Sequence, residues 1–299
     1  MNDIEFNRNF TGNPGESVKI SGNIRRILCD NPGPFTFTGT STFIIGQGEV
    51  AVIDPGPEDE THLEALMNAL GDERVSHILI THTHADHSPL AERLKAVTGA
   101  RTYGHGPHGT RSRKASPRAD LSVDWKFAPD VRLQHGDTIS GPGWMIEAVF
   151  TPGHTSNHMS YALKEEKALF CGDHVMAWST SVIAPPDGKM GQYLDSLRLL
   201  LDRDDHVYYP THGPSPRDPQ RLVRGYLAHR RMREEAIVNR LAKGDHDIAA
   251  IVKANYPDLD PRLHGAAALS TLAHLEHLIT QGRVAAEDAP TLDGRYRLC

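Results

Sequence analysis

Short apolar runs divide the first three quarters of this chain, and a residue able to bind metal follows each of them. Apolar runs of four to eight residues bounded by turns are typical of buried strands. The runs lie at 50–53, 75–80, 145–150, 168–171 and 206–209. The residues that follow them are Asp54, the segment 81–87, His154, Asp173 and His212. Because loops after strands often carry functional side chains, the pattern predicts one site built from several strand ends.

Apolar residues at helical spacing lie between these strands. Leu63, Leu66 and Leu70 predict a helix over 58–70. Similar spacing predicts further helices after Pro89, where the first helical turn tolerates proline, and over 193–201. The interleaving of strands and helices fits an α/β fold in which two sheets pack face to face between outer helices, a four-layer αββα sandwich.

The last quarter of the chain has a different pattern, which becomes helical from about Arg230. Its apolar helical segments lie at 237–241, 248–252 and 269–279. The turn signal Asp293-Gly294 then separates two short β-like segments. Three helices and a hairpin predict a small winged-helix domain. We therefore expect a catalytic domain over 1–228 and a winged-helix-like domain over 229–299.

The segment 81–87 reads Thr-His-Thr-His-Ala-Asp-His and predicts a metal site. His82 and His84 lie two residues apart, so in extended backbone both rings point the same way and can reach one ion. Asp86 and His87 follow as the chain turns, and they can serve a second ion. Imidazole and carboxylate ligands suit zinc, iron and manganese.

In order and spacing, these motifs resemble those of the metallo-β-lactamase fold superfamily: His82-x-His84-x-Asp86-His87, His154, Asp173 and His212. The resemblance covers roughly the first three quarters of the chain and implies the αββα sandwich. The C-terminal pattern is similar to the subgroup with a C-terminal winged helix. That subgroup includes an animal mitochondrial endoribonuclease for single-stranded RNA and many bacterial hydrolases.

The resemblance also implies the chemistry of the site. It assigns His82, His84 and His154 to one metal, Asp86, His87 and His212 to the other, and Asp173 as their bridge. We expect two divalent ions, zinc first, with manganese or iron as alternatives. A hydroxide bridging the metals would attack the substrate, and Asp86 would act as the catalytic residue by orienting it or taking its proton. Asp54 would orient a ligating histidine from behind.

Composition indicates an ordinary water-soluble globular protein. The chain has 299 residues, 38% hydrophobic and 23% charged, and no apolar run approaches the ~20 residues of a membrane helix. The polar, acidic N-terminus lacks the features of a secretory signal. Three scattered cysteines suit a reducing compartment. We therefore predict a cytoplasmic location and no membrane partner.

Charge bears on the choice of substrate. Residues 229–299 carry 10 basic and 10 acidic residues, so the net charge of −6 belongs to residues 1–228. The winged helix therefore lacks the basic excess of a nucleic-acid reader, and we expect no duplex-DNA partner. The segment 101–118 is rich in arginine and free of acid, and we interpret it as a solvated loop or as a flap for an anionic substrate.

Several functions fit these observations. The leading hypothesis is a dinuclear metallohydrolase, with single-stranded RNA favoured over a small molecule as substrate. A glyoxalase II-type thioesterase is the alternative, and a non-catalytic DNA-binding metal sensor is a third. An iron-dependent dioxygenase keeps similar ligands. A secreted β-lactamase is disfavoured because Asp173 stands where such enzymes commonly use cysteine. A homodimer is left open.

Overall fold

Two β-sheets packed face to face form the centre of the molecule in the computed structural model, which describes residues 4–109 and 123–299. Within these residues the first sheet has seven strands that follow one another in chain order. They are β1 (Ser17–Lys19), β2 (Ile24–Leu28), β3 (Ser41–Gln47), β4 (Glu49–Ile53), β5 (Arg74–Leu79), β6 (Arg101–Gly104) and β7 (Val131–Arg132). Strands β1 to β4 pair antiparallel, whereas β4 to β7 run parallel.

The second sheet has five strands among the described residues. They are β8 (Thr138–Gly141), β9 (Trp144–Phe150), β10 (Met159–Leu163), β11 (Ala168–Gly172) and β12 (Val207–Pro210). The first four form an antiparallel meander, and β12 joins β11 in parallel. Parallel pairs require helical crossovers, and these crossovers place helices on the outer face of each sheet.

Within the described part of the chain, four helices cover the sheets: α1 (Glu60–Leu70), α2 (Leu90–Thr98), α3 (Met190–Leu201) and α4 (Pro219–Ala242). One core lies between the first sheet and α1 and α2, where Ile78 meets Leu66 and Leu94. A second core lies between the two sheets. A third lies under α3 and α4. Three stacked cores require four layers, which confirms the predicted αββα sandwich.

Helix α4 continues across residue 228 and contributes to two cores. Its first half packs Val223 and Tyr226 against the second sheet, and its second half packs Ile237 and Leu241 against the C-terminal elements. Those elements are α5 (Ile248–Asn255), α6 (His264–Thr280), β13 (Val284–Ala286) and β14 (Tyr296–Leu298). The two strands pair antiparallel as a hairpin. This arrangement confirms the predicted winged helix.

The segment 101–118 is only partly a loop. The interpretation was wrong for Arg101–Gly104, which forms β6 and pairs in parallel with β5. The strand forms because Thr102 points into the protein while Arg101 points to solvent. Residues 110–118 lie outside the described residues. Among the helices of 4–109 and 123–299, none is both long enough and apolar enough to cross a membrane.

Candidate metal centre

The loops that follow four strands bring the predicted ligands together where the two sheets meet. The loop after β5 carries four of them, and the loops after β9, β11 and β12 carry one each. They are His82, His84, Asp86, His87, His154, Asp173 and His212. They form two groups, and within each group the candidate donor atoms lie within 4.8 Å of one another. The structure therefore brings all seven predicted ligands together.

The first group is built on three imidazoles. The Nε2 atom of His82 lies 3.0 Å from Nδ1 of His84, and Nε2 of His154 lies 3.1 Å from that same nitrogen. Oδ2 of Asp173 lies 3.7 Å from Nε2 of His154. Three ring nitrogens and one carboxylate oxygen thus face a common centre, a donor set that suits zinc.

The second group combines two imidazoles with two carboxylates. Oδ2 of Asp86 lies 3.1 Å from Nε2 of His212 and 3.6 Å from Nε2 of His87. Oδ1 of Asp173 lies 3.4 Å from Nε2 of His212 and 3.6 Å from Nε2 of His87. The two oxygens of Asp173 therefore face different groups, as expected of a bridging ligand.

Unsatisfied buried atoms show that the second group fits a metal ion. Within the described part of the chain, Nε2 of His87, Nε2 of His212 and Oδ1 of Asp173 are buried without a hydrogen-bond partner. Each such atom costs roughly 1–3 kcal/mol when left unpaired. Their convergence on one point is expected of a site that binds a divalent cation. That this cation is zinc remains a prediction from the sequence.

Asp54 supports the site from beneath. Its carboxylate is fully buried and accepts hydrogen bonds from the backbone N–H and the hydroxyl of Thr81, at 2.8 and 2.7 Å. It also accepts from the hydroxyl of Thr211 and lies 2.9 Å from Nδ1 of His87. With Nδ1 held by the carboxylate, Nε2 of His87 is turned towards Asp86 and Asp173. This is the orienting role that the sequence predicts for Asp54.

Backbone carbonyls orient two further histidines. Nδ1 of His154 lies 2.6 Å from the carbonyl oxygen of Val182, and Nδ1 of His212 lies 3.1 Å from that of Gly39. A ring N–H that donates to a carbonyl fixes the tautomer and leaves Nε2 as the free electron pair. Both rings are thereby prepared as Nε2 ligands.

Burial keeps the first group of histidines uncharged. It lowers the pKa of His82 well below the usual value and that of His84 to about 3, with the neighbouring histidines adding to the effect. The pKa of His154 is lowered by burial as well. A neutral imidazole is the form that binds metal, so these rings are ready ligands at neutral pH.

The second group has an excess of negative charge. Burial opposes ionisation of Asp86, yet His87 and His212 hold the pKa of this carboxyl well below its usual range. Burial alone would lower the pKa of His87, but the carboxylates of Asp86, Asp173 and Asp54 raise it well above the usual value. The carboxylates that raise the pKa of His87 would also attract a metal cation. The second group therefore favours a bound cation.

The other buried histidines of this region have structural contacts. Nδ1 of His158 lies 2.9 Å from the hydroxyl of Thr151, and its Nε2 accepts from the backbone N–H of Asp173 at 3.3 Å. His174 packs edge-on against the ring of Tyr193. His158 therefore holds the backbone of a predicted ligand, and His174 belongs to the packing beneath it.

A polar rim that the sequence did not predict lies beside the first group. Nδ1 of His108 lies 2.9 Å from the hydroxyl of Thr83, and the side-chain amide of Asn157 donates to that hydroxyl. Ser156 donates to Asp187 from both its backbone N–H and its hydroxyl. Asn157 and Asp187 follow no recognisable motif, so only the fold brings them to the site.

Helix α4 fixes the loop that follows Asp173. The hydroxyl of Tyr226 donates to the carbonyl oxygens of Met176 and Ser179. One turn further along the helix, the guanidinium of Arg230 donates to the carbonyl oxygen of Ser181. Helix α4 therefore contributes to the support of the metal centre.

Two parts of the chain match known families. Residues 35–212 match the metallo-beta-lactamase superfamily, and this match contains all seven predicted ligands. The chain belongs to the metallo-beta-lactamase superfamily. Residues 248–294 match the beta-lactamase associated winged helix domain. Family membership and the donor groups together identify a metal-dependent hydrolase of this superfamily.

Relatives of this metallo-beta-lactamase family chain include fungal proteins. The lactamase-like protein adaB of Aspergillus niger is 31% identical over 234 residues, which cover 76% of this chain and 67% of that protein. The atrochrysone carboxyl ACP thioesterase of Aspergillus terreus is 30% identical over 232 residues, 77% of this chain and 66% of that protein. The matches thus span about two thirds of each relative.

Solved structures of the superfamily share the fold. The crystal structure of a beta-lactamase domain protein from Burkholderia ambifaria has a TM-score of 0.80 at 21% identity, with 96% of this chain and 95% of that chain covered. The likeness extends over both the sandwich and the winged helix, because little of either chain lies outside it.

Proposed function

We propose that this metallohydrolase is a thioesterase that releases an acyl group from a carrier-protein thioester. The observation that carries the proposal is the 30% identity, over 77% of this chain, to a protein described as a carboxyl ACP thioesterase. The sequence favoured a single-stranded-RNA endonuclease and kept a thioesterase as its alternative. The relatives favour the alternative, and residues 110–118 of the basic segment lie outside the described residues.

The reaction makes modest demands on the site. A water oxygen adds to the thioester carbonyl carbon, the C–S bond then breaks, and a carboxylic acid and a thiol are formed. A thiol has a pKa of about 8.5, so its sulfur leaves readily as thiolate. The site must therefore supply a nucleophile and stabilise the carbonyl oxygen, whereas a strong general acid is dispensable.

The two donor groups suit both requirements, a nucleophile and stabilisation of the carbonyl oxygen. Two divalent ions, when bound, would lower the pKa of a shared water and polarise the carbonyl oxygen. His82, His84 and His154 would hold one of them, with Asp173 between the pair. The described residues therefore provide a fixed frame of imidazoles and one shared carboxylate.

Among the site's two carboxylates, Asp86 is the more open to solvent. Its side chain is 26% exposed, whereas that of Asp173 is 10% exposed and that of His87 is fully buried. Its lowered pKa keeps it a carboxylate at neutral pH. Asp86 would orient the attacking water or accept its proton, as the sequence predicts.

An aromatic wall beside the site suits an apolar acyl group. The rings of Phe37 and Trp178 stack with centroids 4.9 Å apart and planes 16° apart. Both rings lie against Gly213, the residue after His212, because a Cβ built there would contact each of them. A planar or extended acyl group would pack on this half-buried pair.

The test is turnover by the purified protein on four substrates: an acyl-carrier-protein thioester, an acyl-glutathione thioester, a fluorogenic single-stranded RNA and a β-lactam. We expect the carrier thioester to be hydrolysed fastest, and we expect chelation to abolish hydrolysis and added zinc or manganese to restore it. Asp86→Asn should lower kcat by about 10²–10⁴-fold. Asp195→Asn, at a solvent-exposed aspartate, is the matched control.

The outcomes separate the candidate functions. RNA cleavage without thioester turnover would establish the endonuclease and overturn the proposal. Turnover of acyl-glutathione in preference to the carrier thioester would keep a thioesterase but move it to the glyoxalase II type. Turnover that survives complete removal of metal would contradict the assignment of the site.

A further inference from the structure

A groove of about 490 Å³ lies against the loops that carry two predicted ligands. Ala177 lines it from the loop after Asp173, and Pro216 lines it from the loop after His212. The N-terminal segment closes one side, where the backbone N–H of Asn7 donates to the carbonyl oxygen of Ala177 at 2.8 Å. The groove is therefore built on the same backbone as the metal centre.

The floor and the rim of this groove differ in chemistry. Its floor is largely apolar and includes Ile4, Phe6, Ala177, Pro216 and Leu222. Its rim carries the exposed arginines Arg217, Arg221 and Arg224, which lie before and along the first turns of α4. Phe6 is 39% exposed, so part of the apolar surface faces solvent.

The three rim arginines are unpaired. Across residues 4–109 and 123–299, none of their guanidinium groups has a carboxylate or a hydrogen-bond acceptor at bonding distance. The nearby carboxylate of Asp218 is engaged as the cap of α4, where it accepts from the backbone N–H of Arg221 at 2.9 Å. Glu5 and Asp218 also line the groove, so its three arginines leave a net charge of about +1 there, in a chain whose net charge is −6.

This combination fits a protein partner with an acidic surface. Protein interfaces combine an apolar centre with a charged rim, and complementary charge guides the encounter and fixes the orientation. Arginine also binds phosphate oxygens through two parallel hydrogen bonds. A carrier protein offers both features, because its acyl group is attached through a phosphodiester to a domain with acidic helices.

We propose that the groove bounded by Arg217, Arg221 and Arg224 is the docking surface for the acidic carrier domain that delivers the thioester. The proposal rests on the proposed function, because it names the partner of the same reaction. A carrier docked there would contact Ala177 and Pro216, each four residues along the chain from a predicted ligand, Asp173 and His212. A long polyanion such as RNA is less well matched to a small groove with an apolar floor on an acidic protein.

Binding tests the proposal independently of catalysis. The wild type and the double variant Arg221→Glu, Arg224→Glu are titrated into fluorescently labelled holo-acyl carrier protein, and anisotropy is measured at low and at physiological salt. We expect the double variant to bind about tenfold more weakly or worse, and salt to weaken the wild type far more than the variant. Arg231→Glu is the control, because Arg231 is exposed on the same helix and does not line the groove.

A second substrate separates docking from chemistry. Both variants should hydrolyse an acyl-N-acetylcysteamine thioester, which lacks the carrier and the phosphate, at wild-type kcat/KM. With the acyl-carrier thioester the double variant should show a raised KM at unchanged kcat.

Three results would overturn the docking surface. The double variant could lose the same fraction of kcat/KM on both thioesters, or it could bind the carrier as tightly as the wild type does. The third result is that the groove binds a labelled single-stranded RNA and not the carrier. Failure of the wild type to hydrolyse any thioester would overturn the proposed function instead. In that case carrier binding that depends on Arg221 and Arg224 would still support the docking surface.

Discussion

The guanidinium of Arg230, on helix α4, donates from Nη2 to the carbonyl oxygen of Ser181 at 2.5 Å. The hydroxyl of Ser181 in turn donates to the carbonyl oxygen of Asp173 at 2.6 Å. The next residue, Val182, accepts from the ring of His154. One buried cation on α4 therefore holds a segment that contacts two predicted metal ligands.

Replacing Arg230 should weaken the metal centre without contact to any metal. Arg230→Met removes the donor to Ser181, and we expect metal affinity to fall by about 10–100-fold, the usual effect of losing a group that orients ligands. A competitive titration with a chromophoric chelator measures this. Arg231→Met, at the exposed neighbouring position, should leave affinity unchanged. Wild-type metal affinity in a folded Arg230→Met protein would show that α4 has no such role.

Asp54→Asn should affect the second metal group more than the first. The carboxylate of Asp54 accepts hydrogen bonds from Thr81 and Thr211 and holds Nδ1 of His87. In asparagine an NH₂ group replaces one oxygen, and this group cannot accept the hydrogen bonds that the oxygen accepts. We expect one of the two metals to bind about 10–100-fold more weakly. Stepwise metal titration by calorimetry resolves the two affinities. Equal weakening of both steps would argue that Asp54 supports the whole site.

Gly153→Ala should destabilise the protein and disturb His154. Gly153 has a φ of +136°, and a Cβ built there would lie 2.4 Å from backbone atoms of Tyr193. We expect a loss of about 2–3 kcal/mol or more in unfolding free energy, because strain and overlap add. Gly143→Ala shares a positive φ but has open space, so it isolates the strain from the overlap. Urea denaturation of both variants measures the difference, and equal losses would refute the overlap.

His62 should contribute to acid sensitivity. Its ring is 3% exposed, and burial lowers its pKa from 6.5 to about 4. Between these values the unfolded chain binds a proton that the folded chain excludes, so stability falls as the pH drops from 6.5 to 4. The contribution is on the order of 3 kcal/mol.

Denaturation at pH 7 and pH 4.5 checks this contribution. His62→Gln should lose less stability than the wild type between the two pH values, because its amide does not titrate. His206→Gln, at an exposed histidine, should behave as the wild type does. A His62→Gln profile parallel to that of the wild type would show that other groups account for the acid sensitivity.

Local sequence predicts the ligands well because they follow their strands directly. His82 and His84 are placed by strand geometry alone, since alternate residues share a face. His154, Asp173 and His212 are harder to place, because their meeting depends on how the second sheet packs on the first. The strand pattern marks them as candidates, whereas their assignment to one metal or the other required the family resemblance.

Long-range support could not be predicted from the sequence. Arg230 and Ser181 are 49 residues apart, and an arginine within a polar helix gives no sign that it is buried. Arg101 shows the converse, since its charge suggested a loop although its backbone belongs to β6. The polarity of a side chain predicts whether that side chain is buried. Whether its backbone pairs in a sheet depends on the neighbouring strands.

The central claim is a dinuclear site in which Asp173 is shared by both metals. Elemental analysis of protein purified without added metal, beside Asp173→Ala, tests it most directly. We expect about two metal ions per chain in the wild type and one or fewer in the variant, with the second group losing its ion first. Two full equivalents in Asp173→Ala would contradict the shared ligand, and a single equivalent in the wild type would contradict the dinuclear site.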